Sequence, residues 1–215
     1  MTPEDMEKTL TYLLDRQEIY DLMARYCRGV DRLDKDLVLS CYHEDALDDH
    51  AMFVGNREEF WRWVEPMHAG SQSSTQHLIG NHLAEIDGNV AHAETYYSFG
   101  GMNREGAPFT YIGGRYIDRL EKRDGKWGIV ERFMLNDWIA PSINTVEGSQ
   151  TPEGQTNYGN IDPRELAIMD TAPKGSRDRN DPVYARPLRV APERVERYKS
   201  AVATPADTTA ELAPS

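Results

Sequence analysis

Apolar residues near the start of the chain recur every three or four positions. Ile19, Leu22, Met23, Tyr26, Val30 and Leu33 fall within roughly 100° of one another on a helical projection. That spacing predicts a long amphipathic helix with one buried stripe. Its start is marked by a capping Thr2, by Pro3 at the first helical position, and by Glu4 and Asp5, which complement the dipole. Cys27 flanks the stripe and Asp31 lies just beyond it, at the edge of the buried face. Asp34 projects nearer the stripe centre but falls past the expected helix end, so on geometry alone it rivals Asp31. A short helix over 35–41 and a short strand over 46–53, broken by Gly55-Asn56, are expected next. An aromatic-rich helix over 58–64 follows, ended by Pro66 and Gly70.

From there the period changes. Strands are predicted over 75–86, 90–102, 109–123 and 127–138, with a loop over 103–108. Asp87-Gly88-Asn89 and Asp124-Gly125-Lys126 provide hairpin turns. Helices first and long antiparallel strands afterwards make an α+β fold, not alternating βαβ units. A curved sheet wrapped around the long helix leaves a cavity suited to a small molecule. Strict alternation puts Val130, Arg132 and Met134 on one face, and Trp127, Ile129, Glu131 and Phe133 on the other. Arg132 then reads as a partly buried cation, with Asp118 a candidate partner. Ala93, Thr95, Tyr97 and Phe99 share a face, as do Ile112, Gly114 and Tyr116. The small residues Ala93, Gly113 and Gly114 either mark sheet bends or leave room for a ligand.

Composition changes this picture mainly at the C-terminal end. Of twelve prolines, eight lie beyond residue 145. The expected organisation is a domain over 1–145 and a Pro-rich extension over 146–215. The extension carries short helices near 163–169 and 192–201, and residues 204–215 are expected to be disordered. Such a tail packs over its own domain or a neighbouring subunit. A formal net charge of −12 argues against nucleic acid or an anionic membrane as partner. Cys27 and Cys41 sit in apolar helical patterns and read as buried free thiols of a reducing compartment. The N-terminus is acidic and polar, unlike a signal peptide, and no apolar run is long enough to span a membrane. A cytoplasmic location is therefore expected.

The candidate chemistry centres on Asp31 and His77. His77 lies in Thr75-Gln76-His77-Leu78-Ile79-Gly80-Asn81, at the start of a strand pattern. A carboxylate that orients an imidazole makes a general base effective near neutral pH. None of the six histidines has HExxH or comparable ligand spacing, so no metal site is expected. His82 competes with His77 on spacing. His92 reads as surface, His43 and His68 as loop residues. His50, after Asp48 and Asp49, reads as a possible cavity residue. Tyr26, on the helix stripe, needs a partner for its hydroxyl if buried.

Three segments carry a resemblance: Tyr26…Val30-Asp31, Thr75-Gln76-His77-Leu78-Ile79-Gly80, and the hairpin from Arg119 to Trp127. Together they resemble the SnoaL-like, scytalone-dehydratase-like branch of the nuclear-transport-factor-like superfamily, over about residues 8 to 140 of this sequence. The resemblance implies a cone-shaped α+β barrel with a deep pocket, often trimeric, and elimination chemistry without cofactor or metal. Scytalone dehydratase, a hexachlorocyclohexane dehydrochlorinase and a bile-acid dehydratase are such members. Carried over, His77 matches the general base and Asp31 its orienting partner. Tyr26 matches a pocket tyrosine, and Arg132 an arginine that assists the leaving group. His50 falls near a position where scytalone dehydratase has a tyrosine. Gly114 and Tyr116 stand where that enzyme has serine and asparagine, which argues against scytalone itself as substrate. The expectation is a homotrimeric lyase of aromatic compound catabolism that removes water from a small aromatic or polycyclic alcohol. Asp31, His77, Tyr26 and Arg132 are its expected catalytic residues; His50, Asp48, Tyr97, Tyr116 and Met134 contact substrate. The alternatives are a carbon–carbon lyase releasing water and formaldehyde from a lignin-derived diarylpropane, an isomerase or cyclase, and a non-catalytic binding module.

Overall fold

A computed structural model describes residues 1–105, 109–140, 163–174 and 179–203. Helix α1 (Pro3–Arg32) begins with a capping box between Thr2 and Asp5 and ends at Leu33, whose φ of 52° turns the chain sharply. It buries Ile19, Leu22, Met23, Tyr26, Cys27 and Val30, the expected stripe. Asp34 caps α2 (Lys35–Leu39), accepting from the Leu37 N–H at 3.1 Å. It is therefore a helix cap on the surface, not a rival to Asp31.

The chain then forms β1 (Tyr42–Asp49), β2 (Val54–Gly55) and α3 (Arg57–Ser71). Strand β1 starts four residues earlier than alternation suggested, and α3 does not stop at Pro66. Pro66 lies on the exposed side, so the hydrogen bond it cannot donate is lost towards water. Phe60, Val64 and His68 continue one buried stripe through it. Four long strands follow: β3 (Gln72–Asp87), β4 (Val90–Asn103), β5 (Phe109–Arg123) and β6 (Lys126–Ile139). The sheet runs β2-β1-β6-β5-β4-β3 and is curved but unclosed. β1 pairs with β6 in parallel, and the other pairings are antiparallel. Ala91, Ala93, Tyr97, Phe99, Tyr116 and Leu120 pack with the α1 stripe in one core.

Strict alternation fails in β6, for a physical reason. Leu120 pairs with Ile129 but Arg119 with Glu131, so Val130 is an extra residue in the strand. The bulge reverses parity. Trp127, Ile129 and Met134 all join the helix-facing core, whereas Phe133 and Leu135 face away. A second slip lies between Gly113, opposite Trp138, and Gly114, opposite Asn136. A Cβ at Gly114 would lie 1.8 Å from the Leu135 carbonyl oxygen, and one at Gly113 2.2 Å from the Trp138 indole. These glycines serve close approach in the sheet and leave no room for a ligand.

The far face of the sheet is covered by the C-terminal part of the chain. That part contains α4 (Pro163–Met169), a 3-10 turn (Pro182–Tyr184) and α5 (Pro192–Ala203). Leu188 and Val190 pack on Val54, Ile117, Phe133 and Leu135. Arg194 of α5 reaches Asp49 through both carboxylate oxygens, at 2.9 and 3.2 Å. Arg115 binds Asp137, Glu94 and Asp181. The tail thus packs over its own sheet. The disorder expected over 204–215 lies outside the described residues. Among the described residues no helix is long and apolar enough to cross a membrane.

Gly114→Ala should destabilise the fold by about 3 kcal/mol or more, because the obstacle is backbone and cannot swing aside. Urea denaturation of the variant measures this, and unchanged stability would show that the close approach is not needed.

Candidate active site

Asp31 and His77 meet between the last turn of α1 and the start of β3. The Asp31 carboxylate accepts the His77 backbone N–H at 2.8 Å on one oxygen and the Nδ1–H at 2.7 Å on the other. This fork fixes both the ring and the strand that carries it. With Nδ1 holding the proton, Nε2 keeps its lone pair. The two side chains are 10% and 8% exposed, so the pair is dry yet not sealed. Burial works to raise the Asp31 carboxyl. The hydrogen bond and charge of His77, its N–H and Thr75 outweigh that and hold the group below its ordinary range. Phe99, opposite His77 across the ladder, lies 4.9 Å from its ring. His82 sits farther along β3, bonded to Thr95 at 2.8 Å and edge-on to Tyr20.

A second polar cluster lies on the β1–β6–β5 side. Arg132 has no exposed surface. It is clamped in two-point fashion by Asp118, at 2.7 and 2.9 Å. Its guanidinium lies over the rings of Tyr26 (4.2 Å) and Tyr116 (4.4 Å). Burial opposes the arginine charge, but Asp118 and the tyrosine oxygens of Tyr42 and Tyr26 hold it firmly charged. The expected partner Asp118 is therefore the partner observed, and the cation is completely buried. Arg132 also reaches the Tyr42 hydroxyl at 3.4 Å, and that hydroxyl donates to Asp48 at 2.6 Å. Asp48 in turn holds His50 Nδ1 at 3.0 Å.

Tyr97 connects the two clusters. Its ring stacks on Tyr116 at 4.5 Å and lies 6.5 Å from His77. Its hydroxyl bonds Asn136 at 2.8 Å and the Met134 sulfur at 3.0 Å. Asp31, His77, Tyr97, Tyr116, Tyr26, Arg132, Met134, Asp48 and His50 thus form one connected region.

His68 belongs there too, although the sequence reading placed it in a loop. Its position i+8 from Phe60 and i+4 from Val64 was the available signal, obscured by Pro66. Its ring is 6.1 Å from His77 and 5.5 Å from Phe99, and Nδ1 is 2.9 Å from Gln72 Oε1. Burial, with the neighbouring charges of His77 and His50, pushes it down to about 4. His68 is therefore a neutral imidazole near pH 7. Among the described residues no group of three or more His, Cys, Asp or Glu side chains is arranged to hold a metal ion. A separate open cleft of about 480 Å³, lined by His43, Glu44, Arg123 and Trp127, touches the region only at Tyr42.

The model of the SnoaL-like domain matches residues 11–133. No curated protein matches the chain. Among solved structures, a candidate scytalone dehydratase from Novosphingobium aromaticivorans is 19% identical, covering 68% of this chain and 98% of its own, with a TM-score of 0.58. The hexachlorocyclohexane dehydrochlorinase LinA-type3 from Novosphingobium barchaimii is 20% identical, covering 67% and 98%, with a TM-score of 0.58. At those identities the likeness is one of fold. A Mycobacterium tuberculosis protein of unknown function is 28% identical, covering 64% and 77%, with a TM-score of 0.53.

Two predictions follow from the buried charges. Arg132→Met should cost about 3–5 kcal/mol by leaving Asp118 buried and unpaired, and adding Asp118→Leu should recover much of it. Denaturation of the single and double variants checks this; equal stabilities would refute it. For His68, the folded value of about 4 lies below the ordinary 6.5, so the unfolded chain binds the extra proton first. Stability should fall by roughly 3 kcal/mol as pH drops from 6.5 to 4. In His68→Gln that part of the slope should vanish, and an unchanged pH dependence of the denaturation midpoint would contradict it.

Proposed function

The chain belongs to the SnoaL-like domain family, and from that premise we propose that it is a cofactor-independent lyase acting on an aromatic or polycyclic alcohol. His77 is the general base and Asp31 its anchor. The observation that carries this reading is the two-pronged hold of Asp31 on the ring and backbone of one histidine. Such a hold serves catalysis in two ways. It selects the tautomer with a bare Nε2, and it stabilises the imidazolium that forms when Nε2 takes a proton. Substrate class is read from the walls. Tyr97, Phe99 and Trp63, which keep some accessible surface, present ring faces and edges beside the histidines, and flat apolar substrates pack well on such surfaces.

Removal of a C–H or phenolic proton by His77 starts the reaction, and loss of a hydroxyl group completes it. Water departs and a carbon–carbon double bond is left. Arg132 and Tyr26 shape the site from behind Tyr116. The fold's likeness to dehydratase and dehydrochlorinase structures is consistent with this chemistry.

The decisive test is turnover of a panel of aryl alcohols, followed by ultraviolet absorption and a formaldehyde assay. Dehydration should give conjugated product without formaldehyde. His77→Ala should lower kcat by about 10²–10⁴-fold with ligand binding retained, and Asp31→Asn should lower it by a similar order. Unchanged turnover in His77→Ala would sink the assignment.

A further inference from the structure

The Asp31–His77 arrangement is repeated once in the same region, by different residues on a different element. Asp48 lies near the end of β1 and His50 just past it. Asp48 Oδ1 holds His50 Nδ1 at 3.0 Å, and Asp48 Oδ2 accepts the Tyr42 hydroxyl at 2.6 Å. The Asp48 side chain is 1% exposed and that of His50 11%. The imidazole is fixed among three rings, Phe60 at 5.0 Å, Trp63 at 5.8 Å and Tyr116 at 6.3 Å. Its Nε2 makes no hydrogen bond among the described residues. Unlike Nε2 of His82 and His92, it is not sealed without a partner inside the protein. That nitrogen therefore faces open space.

We propose that Asp48 and His50 form the acid of the elimination, opposite the Asp31–His77 base. This rests on the lyase reading above. The two pairs flank one aromatic wall, since Tyr116 packs against His50 and stacks on Tyr97, whose ring neighbours His77. The His68 ring lies 6.1 Å from that of His77, on the same helix α3 that carries Phe60 and Trp63 against His50.

Elimination of water from an alcohol needs a proton delivered to the departing oxygen, and neither Arg132 nor His68 is suited to deliver it. Arg132 has both faces covered by tyrosine rings and two of its nitrogens committed to Asp118. His68 donates Nδ1–H to Gln72 and is neutral, so its Nε2 can only accept. His50, by contrast, has a carboxylate on Nδ1 and an Nε2 with no hydrogen-bond partner among the described residues.

The step balances without oxidant or cofactor. His77 Nε2 takes a proton from carbon, and the C–H electron pair becomes the second bond of the new double bond. The C–O bond breaks towards oxygen, and His50 Nε2–H gives its proton to that oxygen, so water leaves. Solvent then returns a proton to His50 and removes one from His77.

The test uses two probes, a β-hydroxy aryl ketone and its O-acetyl ester. Acetate departs as an anion and needs no proton. His50→Gln should slow the hydroxy probe by about 10²-fold or more, yet change the ester by less than about threefold. His77→Ala should lose both. An equal slowing of both probes by His50→Gln, or none, would overturn the acid assignment while leaving the base intact. Failure of His77→Ala to slow either probe would instead overturn the base reading.

Discussion

A guanidinium with no exposed surface organises the interior of this protein. An isolated charge at that depth would cost several kcal/mol, so every neighbour of Arg132 is arranged around it. Asp118 on β5 takes two of its nitrogens, which locks β5 to β6 through side chains as well as through the ladder. Tyr26 from α1 and Tyr116 from β5 close its two faces, which fixes how the helix lies on the sheet. Tyr42 from β1 takes the remaining edge and passes the arrangement on to Asp48 and His50. Removing the cation would therefore disturb the register of three strands and one helix together. The parity reversal at Val130 brings Arg132 to the same face as Trp127 and Ile129 and so makes this geometry available.

The base side makes no direct contact with Arg132 and meets its cluster only through Tyr97 among the described residues. Asp31 and His77 are held by α1 and β3 alone, and Tyr97 and Tyr116 stand between them and the arginine. The division has electrostatic logic. His77 must stay able to accept a proton, and a nearby unscreened guanidinium would work against that. Pairing Arg132 with Asp118 and covering it with aromatic faces reduces its field at the base. His68, displaced to the neutral form by burial, adds an acceptor to the region without adding charge.

How far the sequence revealed this follows from what each signal measures. The α1 stripe, the two hairpin turns and the order of elements depend on local periodicity and turn chemistry, and all were legible. Bulges were not. A single extra residue at Val130, and the slip beside Gly114, depend on pairing partners far away in the chain. Pro66 misled for a similar reason, because the packing of Phe60, Val64 and His68 outweighs one missing hydrogen bond on an exposed face. At the site, spacing alone could not separate Asp31 from Asp34 or His77 from His82. Hydrogen bonding does so: Asp34 caps α2, His82 bonds Thr95, and Asp31 holds His77. His68 was invisible because its helix seemed to have ended.

The adjacent carboxylates of β1 show how the tail and the site are joined. Successive residues of a strand point to opposite faces, so Asp48 turns inward to Tyr42 and His50 while Asp49 turns outward to Arg194 of α5. Arg194 also donates to the carbonyls of Ala51 and Ile168. Ala51 has a φ of 60°, a conformation that a residue with a side chain adopts only when its surroundings compel it. Arg194, which holds the Ala51 carbonyl, lies some 140 positions away in the chain and is itself buried. His50 sits between these two fixed points, with Asp48 anchored on one side and Ala51 on the other. The direction of its ring is thereby set partly by α5. The C-terminal segment is thus more than a cover for apolar residues on the outer face: through Asp49 and Ala51 it holds the backbone on both sides of His50.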